Sequence, residues 1–375
     1  MERVEGTSSV RGVIEGHYDS VFAVASSESG RPLLASGGAD DKGILLDPSK
    51  FEPLAETGDM GESVVEIAFS FDSKYCAFGA MNGKIVLMTI PEEGDEVTRE
   101  ELEEVSDEAV EFLDWHPRGS ILLVGSADGI CRMYNADTRR IMTLFIGHSD
   151  AVTCGGFSAD GKTVATASAD GWIKVWNPRD GVCRYSIRHT RESSAEQHNA
   201  DEPSGDHGSP SGVVSLCIGK AEHTNKLVAA GSEDGSVSLS NFETGRKIAD
   251  LSSHNGSVET IAISGPQHNP PILATGGTDG EIHTWDIQRS ISRSVMKHDA
   301  AVTKLRWHPV RHQIISSSID GTVRIWDARD GSKVKELTGH TDGVLDVCII
   351  HRNGETKYAT ASDDHRVLIH APDSQ

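Results

Sequence analysis

The chain has 375 residues, 37% of them hydrophobic and 38 of them glycine, enough for one large core or two modest ones threaded with tight turns. Its 57 acids against 35 Lys and Arg leave a formal charge of -22, which argues against unaided binding to a phosphate backbone and makes a basic partner the natural complement. No apolar run approaches the roughly 20 residues that span a bilayer, MERVEGTSSVRG has no apolar leader core, and the six cysteines form no CxxC pair. A cytoplasmic protein, with the nucleus as a second location, is expected, with reduced and mostly buried thiols.

From the N-terminus, SVRGVIE (Ser9 to Glu15) reads as a strand, followed by GHYDSVFAVASSESGRPLLASGGADDKGILLD from Gly16. Weaker copies of the same pattern begin at Glu62 (ESVVEIAFSFDSKYCAFGAMNGKIVLMT), Asp107 (DEAVEFLDWHPRGSILLVGSADGICRMYN) and Ser211 (SGVVSLCIGKAEHTNKLVAAGSEDGSVSLSN). Strong copies begin at Gly147 (GHSDAVTCGGFSADGKTVATASADGWIKVWN), Ser253, Lys297 (KHDAAVTKLRWHPVRHQIISSSIDGTVRIWD) and Gly339. A strong copy has a His before a short apolar strand, a turn, a second strand ending in small residues, an Asp-Gly or Asp-His turn, and a third strand. The period of about 40 residues resembles the WD40 repeat.

Eight such units, one per blade, imply an all-β WD40 propeller filling residues 1–375 as a single domain. Seven blades would result only if the copy at Glu62 is not a blade. After the last third strand only APDSQ remains, so the N-terminal strand is expected to complete the last blade and close the ring. The repeat resemblance also implies hydrogen-bonded tetrads at His148, Thr166, Asp170 and Trp176, at His254, Thr275, Asp279 and Trp285, and at His298, Ser316, Asp320 and Trp326. Such buried polar chains are structural, not a repeated Ser-His-Asp catalytic set. No enzymatic activity and no cofactor is expected.

Between Pro91 and Glu108 ten carboxylates surround one arginine. The first part reads as a solubilising loop and outer strand, and Ser106 to Glu111 as the approach to the next first strand. RESSAEQHNADEPSGDHGSPSG, at about 190–212, is polar and aperiodic and reads as a flexible insert. GFSADGKT at Gly156 matches a phosphate-loop pattern, but a strand follows it where that motif needs a helix. The 17 histidines show no zinc spacing. IWDAR, with Trp326, Asp327 and Arg329, resembles the WDxR motif of substrate receptors of cullin-type ubiquitin ligases.

In a WD40 propeller the loops before the first strands and the turns between second and third strands share one face. Asp19, Glu62, Glu108, Glu111, Asp150, Glu259 and Asp342 fall in the former, and Asp41, Glu233 and Asp363 in the latter. Carboxylates ringing a concave mouth suit Arg-rich segments, through paired charge-assisted hydrogen bonds.

Three blocks are similar to the angio-associated migratory cell protein family: SGGADDKG at Ser36, VEFLDWHPRGSILLVGSADG at Val110, and SIDGTVRIWDARDG at Ser318. The resemblance implies a dedicated, monomeric chaperone that captures the basic N-terminal segment of a newly made large-subunit ribosomal protein, of the universal L-sixteen class, on an acidic propeller face. It implies no direct contact with nucleic acid or membrane. Glu111, inside a matching block, is the first candidate contact, followed by Glu233, Glu259 and Asp363, then Asp19, Glu62 and Glu108. Animal members carry a long acidic N-terminal tail; with a first repeat near Gly16, no tail-dependent role is expected. A scaffold or ligase receptor using IWDAR is the alternative.

Overall fold

The computed structural model describes residues 10–92, 96–103, 105–189, 211–251, 254–266 and 268–371. Their strands form eight four-stranded antiparallel sheets, seven of them built from strands consecutive in sequence. The eighth takes its outer strand, Val10–Ile14, from the start of the chain, pairing Ile14 with Val367 and Val10 with His370. The expected count of eight and the expected closure are both met. The copy at Glu62 is a full blade, with Val64–Phe69 innermost and the acidic Thr98–Glu101 outermost.

The innermost strands are Val21–Ser26, Val64–Phe69, Val110–Trp115, Cys154–Phe157, Val213–Ile218, Thr260–Ile263, Val302–Trp307 and Val344–Arg352. Each packs against its counterpart in the next blade and the eighth against the first, which makes a ring around a central channel. The core is correspondingly divided into clusters lying between blades. One joins Leu34, Leu46 and Val21 of the first blade to Ala359 and Val367 of the last.

Close approach at these interfaces requires small residues. A Cβ added to Gly37, Gly79, Gly231 or Gly276, on second strands, would lie 2.5 to 2.7 Å from Val64, Val110, Val258 or Val302, the valine heading the next blade. The small-residue tract in each repeat is therefore a packing requirement. Polar groups also cross the seams. Asp114 accepts the Phe157 N–H (2.8 Å), Thr260 the Leu305 N–H (3.0 Å) and Cys217 the Ile263 N–H (3.3 Å), pairing donors that have no ladder partner on the channel side.

Candidate functional site

One backbone hydrogen bond recurs in all eight blades and defines the face around the channel mouth. The residue opening the turn between second and third strands donates its N–H to the carbonyl of the residue before the valine that leads into the innermost strand: Ala39 to Ser20, Met81 to Ser63, Ala127 to Ala109, Ala169 to Ala151, Glu233 to Gly212, Thr278 to Ser257, Ile319 to Ala301 and Asp363 to Gly343. Glu233 and Asp363 therefore hold equivalent ring positions on blades five and eight. Met81 and Ile319, 52% and 43% exposed, hold the same position on blades two and seven, so the mouth has apolar contacts as well as acidic ones. Sequence reading listed only the charges, although the repeat alignment contained these two residues.

The residue before each carbonyl acceptor is a second ring position, occupied by Asp19, Glu62, Glu108, Asp150 and Asp342, all exposed. Beneath it lies the channel wall. The pairing of innermost with second strands slips by one residue at the head of blades one, two, three, five, seven and eight, leaving Phe22, Val65, Glu111, Val214, Thr303 and Leu345 as the extra residue. A bulge re-aims the side chain it carries. Glu111 is the acid among these, half-buried, with burial raising its pKa above the usual carboxylate range. Glu259 follows Val258, the blade-six counterpart of Val110, and so shares Glu111's level, but it is exposed.

Glu66 was missed. It stands one residue below the bulge of blade two, in a channel cavity of ≈ 790 Å³ that also contains Asp114, Lys304, Arg306 and Asp346. Burial raises its pKa to about 7, with Asp346 and Glu111 pushing it up and Lys304 and Arg306 pulling it down. Its alternating context, VVEIAF, reads as an ordinary strand; only the bulge and the ring place it in the channel.

The mouth is electrostatically unsatisfied. Glu62, Glu108, Glu111, Glu233, Glu259, Asp342 and Asp363 form no ion pair among the described residues. Asp41 is raised first by burial and then by Glu62, Asp59 and Asp40, as crowded like charges require. Three arginines near the mouth are engaged elsewhere: Arg324 by Asp299 (2.8 Å), Glu336 (3.1 Å) and Asp320 (3.3 Å), Arg132 by Asp128 (2.6 Å), and Arg366 by Asp364 (2.9 Å). A guanidinium arriving from outside would meet carboxylates without competing partners.

The tetrad residues lie behind this face. His148 contacts Asp170 (2.9 Å) and Thr166 (2.8 Å), and Trp176 donates to Thr166 (2.8 Å). The corresponding distances are 3.1, 2.9 and 3.3 Å for His254, Asp279, Thr275 and Trp285, and 2.9, 2.7 and 2.8 Å for His298, Asp320, Ser316 and Trp326. Blades one and eight contain related sets not assigned from sequence. In the first, His17 joins Asp40 and Ser36; in the eighth, His340 joins Asp364 and Thr360, with His370 in place of the tryptophan.

The remaining motifs lie away from the mouth. Ser158 to Lys162 form a hairpin turn in which the N–H groups of the Gly-Lys-Thr end are already bonded: Gly161 to the Ser158 carbonyl, Lys162 to Asp160, and Thr163 to the Ser158 hydroxyl. Arg329 is exposed on the opposite face, its guanidinium held by Asp327 through Nε (2.9 Å) and Nη2. The insert at about 190–212 falls outside the described residues except for Ser211 and Gly212. Among the described residues no three His, Cys, Asp or Glu side chains converge so as to hold a metal ion.

Residues 102–135 and 139–177 match the family described as WD domain, G-beta repeat, and residues 207–370 that described as nucleolar protein 10-like, N-terminal domain. A WD repeat-containing protein of Schizosaccharomyces pombe is 30% identical over 96% of this chain and 86% of its own length. The chain belongs to the WD-repeat family. This WD-repeat propeller is related to human angio-associated migratory cell protein (27% identical, covering 94% of this chain and 78% of that one) and to the ribosome assembly protein SQT1 of Saccharomyces cerevisiae (26%, covering 94% and 84%). It is similar to the crystal structure of Chaetomium thermophilum Sqt1 bound to the N-terminus of the ribosomal protein L10, with a TM-score of 0.81 and 25% identity over 97% of this chain and all (100%) of that one.

Proposed function

We propose that this propeller is a non-enzymatic chaperone in ribosome biogenesis, acting in the cytoplasm and extending to the nucleus. It binds the basic N-terminal segment of a newly made large-subunit ribosomal protein, of the universal L-sixteen class, across its acidic mouth. The observation carrying this reading is the set of carboxylates around the channel that have no cation of their own, with Glu111 set into the wall by a bulge. The similarity to an Sqt1 bound to a ribosomal-protein N-terminus supports it. Free of rRNA, an Arg- and Lys-rich segment carries uncompensated charge, and pairing it with these acids is enough to keep it soluble. The exposed Met81 and Ile319 add apolar contacts for the segment's other side chains.

The test is capture of a synthetic peptide with the N-terminal sequence of that ribosomal protein by purified protein at low salt. Glu111→Lys combined with Glu233→Lys is expected to reduce affinity at least about 100-fold, since each reversal replaces an attraction with a repulsion. Equal capture by the wild type and the double variant would overturn the reading. Retention of a cullin-ligase adaptor in place of the peptide would favour the Arg329 motif instead.

A further inference from the structure

Below the mouth the channel charges are arranged in levels that the strand register makes explicit. Counting from the valine that heads each innermost strand, Glu111 stands second, Glu66, Lys304 and Asp346 third, and Asp114 and Arg306 fifth. The last level lies roughly 7 Å below the third, at about 3.3 Å per residue. Lys304 thus shares a level with Glu66 and Asp346, the first carboxylates that a ligand meets below Glu111, with Asp114 and Arg306 beneath them. The Lys304 ammonium makes no hydrogen bond and no ion pair among the described residues, and Arg306 reaches the Asp346 carboxylate only at 3.9 Å. Asp346 and Asp114 already accept the backbone N–H groups of Val24 and Phe157.

Positive charge left without a close partner beneath a negative mouth repels the cations that the mouth attracts. We infer that Lys304, backed by Arg306, is a specificity-determining floor of the channel, halting a basic segment at the level of Glu66 so that it binds across the mouth instead of threading the ring. This rests on the acidic-face reading above. Discrimination by a repulsive element is how related partners are told apart when attraction alone is permissive. The floor favours segments presenting one Arg or Lys into the channel and disfavours those presenting several in succession.

Fluorescence anisotropy at low salt with a short fluorescein-labelled peptide of alternating arginine and alanine tests this. Lys304→Gln is expected to tighten binding about tenfold, on the scale of one unit-charge repulsion at channel distances. Arg179→Gln, exposed and away from the mouth, makes the same change in net charge and is expected to leave affinity within about twofold. Equal effects of the two, or weaker binding by Lys304→Gln, overturn the floor. Binding lost in Glu111→Lys but indifferent to Lys304→Gln overturns the floor alone; binding indifferent to Glu111→Lys overturns the acidic-face reading and the floor with it. As a readout independent of the peptide, NMR titration of the Glu66 carboxyl should show its pKa rising further in Lys304→Gln, and no change would count against the floor.

Discussion

Asp346, on the innermost strand of the last blade, accepts the backbone N–H of Val24 on the first across 3.0 Å, joining residues 322 apart in sequence. It complements the outer-strand closure at Val10–Ile14, so the ring is fastened at its rim and at its channel wall. Asp346→Ala should remove the acceptor from a buried N–H and cost about 1–3 kcal/mol. The urea midpoint is expected to fall with no change in slope; an unaltered midpoint would mean that the seam does not depend on this bond.

Ser316 is fully buried and holds two partners at once, His298 at 2.7 Å and the Trp326 indole at 2.8 Å. Ser316→Ala would leave both nitrogens unpaired inside blade seven, a loss expected at about 2–3 kcal/mol. Ser316→Thr should fall within about 1 kcal/mol of wild type, because Thr166 and Thr275 fill the same position in blades four and six with the same bonds. A destabilisation by threonine as large as that by alanine would contradict the tetrad account.

Acid should destabilise the fold well above the carboxylate range. Burial holds His268, His308 and His370 near a pKa of about 4, and lowers those of His148, His254, His298 and His340. Between about 6.5 and 4 the unfolded chain binds protons that these buried rings refuse, so stability falls as pH drops, by at most about 1.4 kcal/mol per pH unit for each histidine. Glu66 works in the opposite sense. The folded state retains its proton up to about 7, so its contribution is full below about 4.5 and lost as pH rises through 7. Urea midpoints should therefore decline from pH 7 to pH 5, and Glu66→Gln, by removing the opposing contribution, should widen the difference between pH 6 and pH 8. A flat profile from 7 to 5 would refute the histidine argument.

The parts of this molecule readable from sequence are those where one local requirement repeats. A His before a strand, small residues ending the second strand and an Asp-Gly turn recur because every blade solves the same packing problem. Eight copies therefore predict eight blades, and a missing last strand predicts where the first must go. The tetrads of blades four, six and seven were legible for the same reason. Those of blades one and eight were not, since Leu46 and His370 replace the tryptophan that marks the set.

The channel was not legible in this way. VVEIAF and VEFLDW have similar alternation, and nothing local distinguishes an acid that faces solvent from one that lines a wall. Sequence alone determined the repeat, the blade count, the closing strand and the excess of acid near the loops of one face, because each depends on short-range pattern or composition. Only the tertiary structure decided that Glu111 sits in a bulge, that Glu66 lies beneath it, and that Lys304 and Arg306 oppose them. Those relationships depend on strand register between residues up to hundreds of positions apart, and a one-residue slip, invisible in composition, determines which side chain faces the channel.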